Sequence, residues 1–495
     1  MREYMRRILL YLLLAITGIT ANAQNKREFR GAWIQSVNGQ FMGMGTEQMQ
    51  RTLSYQLDEL QKDGVNAIIF QVRPECDALY ASSYEPWSRF LTGRQGVAPS
   101  PYWDPLYWMI NECHRRGMEL HAWINPFRAK TKNTTELASN HIARQRPELV
   151  FPYDGLYILN PAYQENRTYI CKVVADILKR YDVDGLHIDD YFYPYPVQGC
   201  VIPDNFEYSS NNYGFGNIND WRRNNVNMFI KELHDTIEAV KPWVKFGVSP
   251  FGIYRNKKSD PARGSMTNGL QNYDDLYADI LLWVEKGWID YCVPQIYWEI
   301  GNKAADYKTL INWWTANCTN RPLFIGEDIE RTVKFNQQDI KHQLHTSLLG
   351  HKSPLQGTVL WYAKAAVDNV GGYGTNLRNI YWRYPALQPL MPFKYGDKPG
   401  KVRKVKPIWT SDGYVLFWEA PKSRNYKNIA NKYVVYCFKK GESINIEDPS
   451  HIVAITPNTW YNLPYVNGKE KFVYVVTALD RMSNESAHVK KNVKL

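Results

Sequence analysis

Asp182-Val-Asp-Gly-Leu-His-Ile-Asp-Asp-Tyr-Phe-Tyr-Pro-Tyr-Pro196 is a short extended run that ends in two acids and then breaks into aromatics and prolines. Within it Leu186 and Ile188 alternate with His187 and Asp189. Period-2 alternation gives a strand two unlike faces, one to pack on helices and one that must accept His and Asp. A parallel barrel presents such strands at its C-terminal rim, where its sites are built.

The same pattern recurs on either side. Strands are expected at 29–36, 67–73, 119–125, 185–190, 245–250, 291–298, 323–327 and 358–362, with amphipathic helical stretches such as 49–63, 105–116, 165–181, 221–240, 273–286 and 337–349 between most of them. Eight strands alternating with helices indicate a (β/α)8 TIM barrel with long loops, an α/β fold. At inward positions near the strand ends stand Gln35, Gln71, Asn125, Asp189, Ser249 and Gln295, where a barrel closed only for stability would carry Val, Ile or Leu. These polar residues read as the floor of a site; the alternative is a buried layer of hydrogen-bonded side chains.

The 495 residues, 44% hydrophobic and 22% charged, exclude disorder, collagen and a coiled coil, and leave room for a second domain. After Pro392 a Lys-rich linker (397–406) leads into short alternating strands at 414–418, 432–438 and 471–477, the pattern of a small all-β sandwich. Tyr474-Val-Val-Thr-Ala-Leu-Asp480 followed by Asn484-Glu-Ser resembles the last strands of a fibronectin type III module. The expected division is a barrel over 24–395 and a sandwich over 396–495 that folds independently and serves docking or substrate presentation.

Arg2, Arg6 and Arg7 precede an apolar run over 8–16, and Ala21-Asn-Ala23 is a small-x-small cleavage site, so 1–23 reads as a signal peptide cut before Gln24. The run is shorter than the ~20 residues of a spanning helix, and no Cys at the cleavage site offers a lipid anchor. The mature chain is therefore expected in the periplasm or outside the cell, without a transmembrane segment and as a monomer. Removing three Arg and one Glu takes the net charge from +11 to +9. The seven cysteines (76, 113, 171, 200, 292, 318 and 437) show no C-x-x-C spacing and read as small hydrophobes, with no pairing selected.

Asp189 and Asp190 carry the sharpest chemistry. Paired carboxylates at a strand end are what glycosidic cleavage needs, one holding a proton at neutral pH and one stabilising or attacking the anomeric carbon. For Asp190 a turn-capping role is the alternative. His187-x-Asp189, with His121 and Asn125, offers a competing metal reading, but no familiar ligand spacing supports it, so no metal and no cofactor is called for. Arg73, Arg128 and Arg255 follow strands on the same rim and could hold carboxylates of an acidic sugar, in keeping with a basic chain that draws anionic polymers. The signal peptide argues against nucleic acid as that polymer. Tyr80, Tyr84, Trp87, Tyr191, Tyr193, Tyr195, Tyr254, Tyr297 and Trp298 crowd this rim in a chain that is 14% aromatic, and ring faces pack on sugars.

Seven motifs in order carry a family resemblance: Phe29-Arg-Gly-Ala-Trp33; Phe70-Gln-Val-Arg-Pro74 with Asp77-Ala-Leu-Tyr80; Glu85-Pro-Trp87; Leu120-His-Ala-Trp-Ile-Asn-Pro126; Asp184-Gly-Leu-His-Ile-Asp-Asp-Tyr-Phe-Tyr-Pro194; Gly247-Val-Ser-Pro-Phe-Gly252; and Pro294-Gln-Ile-Tyr-Trp298. Over residues 27–390 the chain resembles the glycosyl-hydrolase-like 10 family. The resemblance implies a (β/α)8 barrel and, from a characterised branch, a peptidoglycan glycosidase acting on glycan strands stripped of stem peptides. It emphasises Asp77, Asn125, Asp189, Asp190, Gln295 and Tyr297. Glu327, at the end of strand seven, stands where many barrel glycosidases carry their nucleophile, and Glu299 is the other candidate partner.

The expectation is an exported glycoside hydrolase on bacterial cell-wall glycan or a related acidic or N-acetylated polysaccharide. Asp189 is its essential carboxylate, with Asp190, Glu299 or Glu327 as partner. Arg73, Asp77, Asn125, Arg128, His187, Tyr191, Arg255, Gln295, Tyr297 and Trp298 are expected to bind substrate. The alternative is a non-catalytic protein that uses the barrel as a glycan-binding platform.

Overall fold

A computed structural model describes residues 24–350, 352–423 and 425–495; the signal peptide read at 1–23 lies outside them. Eight parallel strands close into a barrel: β1 (Phe29–Ile34), β2 (Ala67–Arg73), β3 (Glu119–Ile124), β4 (Gly185–Ile188), β5 (Lys245–Val248), β6 (Tyr291–Cys292), β7 (Leu323–Asp328) and β8 (Leu355–Trp361). Each pairs with its successor, and β8 closes on β1 through the register Phe29↔Gly357 to Ala32↔Leu360.

The alternation read from sequence sorts the side chains. Leu120, Ala122, Ile124, Leu186, Ile188, Phe246 and Val248 pack outward against the helices. Phe29, Trp33, Ile69, Trp123, Tyr291 and Phe324 fill the barrel. Two glycines make room for this interior. A Cβ on Gly247 would lie 1.8 Å from the Tyr291 ring and one on Gly185 2.4 Å from His121 Nδ1, so both aromatics cross the barrel over bare backbone.

A polar chain threads the lower barrel. Lys245 pairs with Glu119 at 2.5 Å, Glu119 meets His121 at 3.0 Å, and His121 meets the Tyr291 hydroxyl at 2.7 Å. The same hydroxyl is 3.1 Å from His187 Nδ1, whose Nε2 is 2.8 Å from Ser249 Oγ. Burial raises the Glu119 carboxyl, but Lys245 and the His121 hydrogen bond outweigh it and hold it at about 2. The hydrogen-bonded polar layer weighed as an alternative is thus real in the lower barrel, and it contains His187 and Ser249.

Three expectations are corrected. Strand six is two residues long rather than eight, because Pro294 has no N–H for the ladder; beyond it Gln295 makes only single bridges to Phe251 and Gly326. The helix expected over 273–286 splits into Asn272–Asp275 and Ile280–Lys286. Tyr277 between them takes φ +56°, and Asp279 then caps the second helix by accepting from Leu282 N at 3.2 Å. The loop after β3 contains an unforeseen antiparallel sheet of Arg128–Lys130, Val150–Tyr153 and Leu156–Leu159.

The C-terminal strands form two antiparallel sheets with a shared core around Leu416, Trp418, Val435 and Val476. One contains β9 (Arg403–Thr410), β10 (Gly413–Glu419) and β13 (Trp460–Asn462); the other β11 (Lys432–Lys439), β12 (Ile452–Thr456), β14 (Lys471–Leu479) and β15 (Val489–Lys494). The outer face of the second sheet is not free: Val434, Tyr436, Phe438 and Val475 cluster with Leu387 of the segment leaving the barrel. Lys26 pairs with Glu485 at 2.6 Å, and Arg481 with Asp182 at 2.9 Å. A Cβ on Gly117 would lie 2.6 Å from Ile455 O. Gly117 and Asp182 immediately precede β3 and β4, so the sandwich covers the N-terminal end of the barrel, opposite the acids. The sandwich thus has a core of its own and also packs on the barrel.

Candidate active site

The site starts from backbone N–H groups that can only donate. Those of Ser36 and Val37, past the end of β1, donate to Gln71 Oε1 at 2.8 and 2.9 Å. That fixes which end of the Gln71 amide is nitrogen, and its Nε2 donates to Asn125 Oδ1 at 2.7 Å. Arg128 Nη2 donates to the same oxygen at 2.7 Å. Asn125 is thereby turned to present its Nδ2 to Asp189 Oδ2. All four elements of this relay are fully or nearly buried.

Asp189 and Asp190, buried at the end of β4, face one another's charge. Asp189 is pushed up to about 7 by burial and by Asp190, against the opposing pull of Arg128, the Tyr191 N–H and Asn125. Asp190 is raised by burial, while the Tyr195 hydroxyl and the Gln295 amide donate to it and favour its ionised form. Both carboxyls are thus raised by burial, and each accepts hydrogen bonds that partly offset it, so the two titrate as a coupled pair. Asp189 Oδ1 accepts only a long contact from Tyr191 N at 3.5 Å.

Aromatic rings wall this centre. Tyr297 stacks on Trp361 at 6.1 Å and meets Trp33 edge-on at 6.5 Å, with Trp123 against Trp361 at 6.4 Å. Burial, and the charges of Asp190, Asp328 and Asp189, raise the Tyr297 hydroxyl far above the usual tyrosine value, so it remains a donor. Trp123 Nε1 is buried with no acceptor among the described residues. Beside the acids, the loop 191–197 and the unforeseen sheet enclose a cleft of about 390 Å³ lined by Tyr153, Leu156, Ile158, Tyr191 and Tyr195, with Arg128 at its wall under the Tyr191 ring at 5.1 Å.

Other expected residues lie elsewhere. Arg73 is fully buried, its guanidinium engaged by Glu85 at 2.6 to 2.9 Å and by the Asn125 carbonyl at 2.6 Å, and has no donor left for a substrate. Arg255 is clamped on Asp274 at 2.8 and 3.0 Å and on Asp260. His187 belongs to the polar layer below, where burial and His121 keep it neutral. Asp77 sits in the β2 loop, accepting from Glu75 N at 3.1 Å and Gln95 Nε2 at 3.0 Å. Trp298 packs edge-on against Phe251 at 5.3 Å.

Both glutamates proposed as partners are engaged elsewhere. Glu299 is held at about 2: burial opposes, but Arg331 at 2.7 Å and Asn302 at 2.9 Å stabilise the carboxylate. Glu327 shares the outward parity of Leu323 and Ile325 and accepts from Thr332 at 3.1 Å and Tyr373 at 3.3 Å. Phe324 and Gly326 are the inward residues of β7, which leaves Asp328, at the rim, as the carboxylate whose charge reaches Tyr297. The sequence reading missed Asp328, Trp33, Trp123 and Trp361; anchoring the parity of β7 on Gly326, and that of β8 on Val359, would have found Asp328 and Trp361.

Comparison with known proteins identifies the family. A profile of the glycosyl hydrolase-like 10 family matches residues 28–342. The chain is 37% identical to glycosyl hydrolase YngK of Bacillus subtilis over 96% of its own length and 95% of that protein's. It is 38% identical to glycosyl hydrolase DigH of Escherichia coli K12, over 61% of this chain and 73% of the relative. Among solved structures, the PgaB (BpsB) glycoside hydrolase domain of Bordetella bronchiseptica aligns with TM-score 0.48 and 10% identity, covering 73% of this chain and all of that domain. With the acid pair, the aromatic wall and the match across its barrel, this chain belongs to the glycosyl hydrolase-like 10 family and is a glycoside hydrolase.

Proposed function

We propose that this glycoside hydrolase is exported and cuts peptidoglycan glycan strands, with Asp189 as proton donor and Asp190 as its ionised partner. The observation that carries the reading is the buried acid pair at the end of β4: Asp189 is lifted to about 7 by burial and by Asp190, and Asp190, raised by burial, accepts from Tyr195 and Gln295, which favour its ionised form. In the reaction Asp189 transfers its proton to the glycosidic oxygen as the C–O bond breaks. Asp190 faces the positive charge that develops at the anomeric centre and stabilises it; water then adds to that carbon and gives up a proton to the acid pair, which restores the starting protonation. Tyr297 and Trp123 offer N–H and O–H donors to sugar hydroxyl or acetamido oxygens at the same place.

Arg128 supports the choice of an acidic glycan. Arg128 and Lys132 both line the cleft, but Lys132 is paired with Asp154 at 2.5 Å, so Arg128, next to an aromatic wall suited to pyranose faces, is the one that would pair with the lactyl carboxylate of muramic acid. The N-terminal Arg-apolar-Ala-x-Ala pattern supports export. Incubation with amidase-treated sacculi, followed by mass spectrometry of the soluble products, tests the reading. Short glycan fragments released by the wild type and not by Asp189→Asn are expected; no release from sacculi, with turnover on another polysaccharide, would overturn the substrate.

A further inference from the structure

We propose that the sandwich carries a second glycan-binding surface, remote from the acids, for an anionic polysaccharide. The inference rests on the reading that the enzyme acts on such a polymer.

Three aromatic rings gather where the β9–β10 hairpin turns. Trp409 stacks on Tyr414 at 4.7 Å and meets Tyr465 edge-on at 4.9 Å, while Tyr465 meets Tyr414 at 5.7 Å. Unlike the rings of the sandwich core, Trp409 is 63% and Tyr465 43% exposed. A stacked, half-wet indole at a domain edge loses apolar burial for no structural return, and it presents the flat face on which a pyranose packs.

Charge points to the same occupant. Residues 396–495 hold seventeen Lys and Arg against nine Asp and Glu, a net +8. Nearly all of the +9 of the chain without its signal peptide therefore resides in this module. Part of it lines one margin: β9 and β15 are the free edges of the two sheets and lie against each other. Lys406 on β9 and Lys490, Lys491 and Lys494 on β15 are exposed there, and none has a carboxylate within 4.0 Å among the described residues. Edge lysines also discourage strand pairing between molecules, but that role gives no reason for the aromatic triad at the end of the same strand. Lysines along a margin that ends in ring faces match a chain of sugars bearing carboxylate or phosphate groups.

The surface lies on the module that covers the N-terminal end of the barrel, so it holds polymer without occupying the cleft. Its contribution is effective concentration on an insoluble substrate.

The test uses the full-length chain with Asp189→Asn, so that binding is read without cleavage and a wrong catalytic assignment cannot mimic a wrong binding surface. Two further sets are compared with this parent: Trp409→Ala with Tyr465→Ala, and Lys406→Glu with Lys490→Glu and Lys491→Glu, each checked for an unchanged thermal midpoint. Co-sedimentation is measured with peptidoglycan sacculi, insoluble chitin and phosphatidylglycerol vesicles. Both sets are expected to weaken retention on sacculi by about tenfold, and 0.5 M salt to weaken the parent similarly, with chitin held less well throughout. Unchanged retention in either folded set overturns the proposal. So does preferential binding to vesicles that is lost with the lysines but not with the rings, which would make the margin a membrane contact. If an unfolded set must be discarded, Trp409→Ala alone and Lys490→Gln serve in its place with the same criteria.

Discussion

Gln71 Nε2 lies 2.7 Å from Asn125 Oδ1, and this contact decides which way Asn125 points at Asp189. Because the chain of amides starts at two backbone N–H groups, its polarity has one solution. Replacing Gln71 with Met removes one of the two donors, the other being Arg128 Nη2, that hold Asn125 Oδ1 away from the carboxylate. A Gln71→Met variant should fold, lose about tenfold to a hundredfold in kcat, and show an altered alkaline limb in its pH profile, the limb set by Asp189. A kcat loss with an unshifted profile would mean that Gln71 acts only through packing.

Asp189→Asn should reduce turnover by about 10²-fold or more with folding intact. In the wild type, kcat/KM should fall as pH rises through about 7, when Asp189 loses its proton. Stability should follow the same direction. The folded chain retains a proton on Asp189 that the unfolded chain has already lost above the ordinary carboxylate range, so this group's contribution is full at low pH and is lost as pH rises through about 7. Asp77, raised to about 7 by burial and by Glu75, adds a parallel loss. Urea midpoints at pH 5 and pH 8 should therefore differ less in Asp189→Asn than in the wild type; an identical difference would contradict the raised value.

The two arginines at the ends of β2 and β3 should separate cleanly. Arg73→Met removes half of a buried ion pair and should cost about 3–5 kcal/mol of stability, read as a fall in Tm. Arg128→Met, which removes hydrogen bonds to Pro74 O and Asn125 Oδ1 but breaks no ion pair with a described residue, should lower Tm less than Arg73→Met and raise KM roughly tenfold more on denuded peptidoglycan strands than on chitin oligosaccharides, which lack the lactyl carboxylate. Equal effects on both polymers would place Arg128 among the residues that only position Asn125.

How far the sequence could be read follows from these particulars. Alternation told which residues of β3, β4 and β5 face inward, because their strands are regular and their two faces differ in chemistry. Glu327 is singled out instead by its place at the end of β7, although alternation puts it on the face of Leu323 and Ile325. Side-chain type identified Arg73 and Arg128 equally, since nothing local distinguishes them. Only the fold brings Glu85 against Arg73 and leaves Arg128 beside a cleft. The sheet that makes that cleft, Arg128–Lys130 with Val150–Tyr153 and Leu156–Leu159, has strands of three and four residues, too short for a periodic signal.

Glu327→Gln and Glu299→Gln test the parity argument directly. With Glu327 facing outward and Glu299 tied to Arg331, each should retain turnover within about threefold of wild type. Asp190→Asn should lose turnover as Asp189→Asn does. Loss of about 10²-fold in Glu327→Gln with an unchanged Tm would restore it as a reacting group.

Removing 396–495 should damage the barrel rather than simply shorten the protein. Leu387 would lose its apolar neighbours Val434, Tyr436 and Phe438, and Lys26 would lose both Glu485 and the Tyr436 ring that covers it. Gly117 and Asp182 would be uncovered as well. The exposed apolar patch favours association, so the truncated chain is expected to aggregate on size-exclusion chromatography or to melt well below the full chain. The acids, the amide relay and the aromatic wall all lie before residue 392, so whatever fraction remains monomeric should still cut short soluble glycans. Activity per monomer and the monomeric fraction must therefore be measured separately. A fully monomeric truncated barrel with an unchanged melting point would show that the sandwich contact contributes nothing to the barrel. A monomeric barrel with no turnover would show instead that the contact below controls the geometry of the acids above.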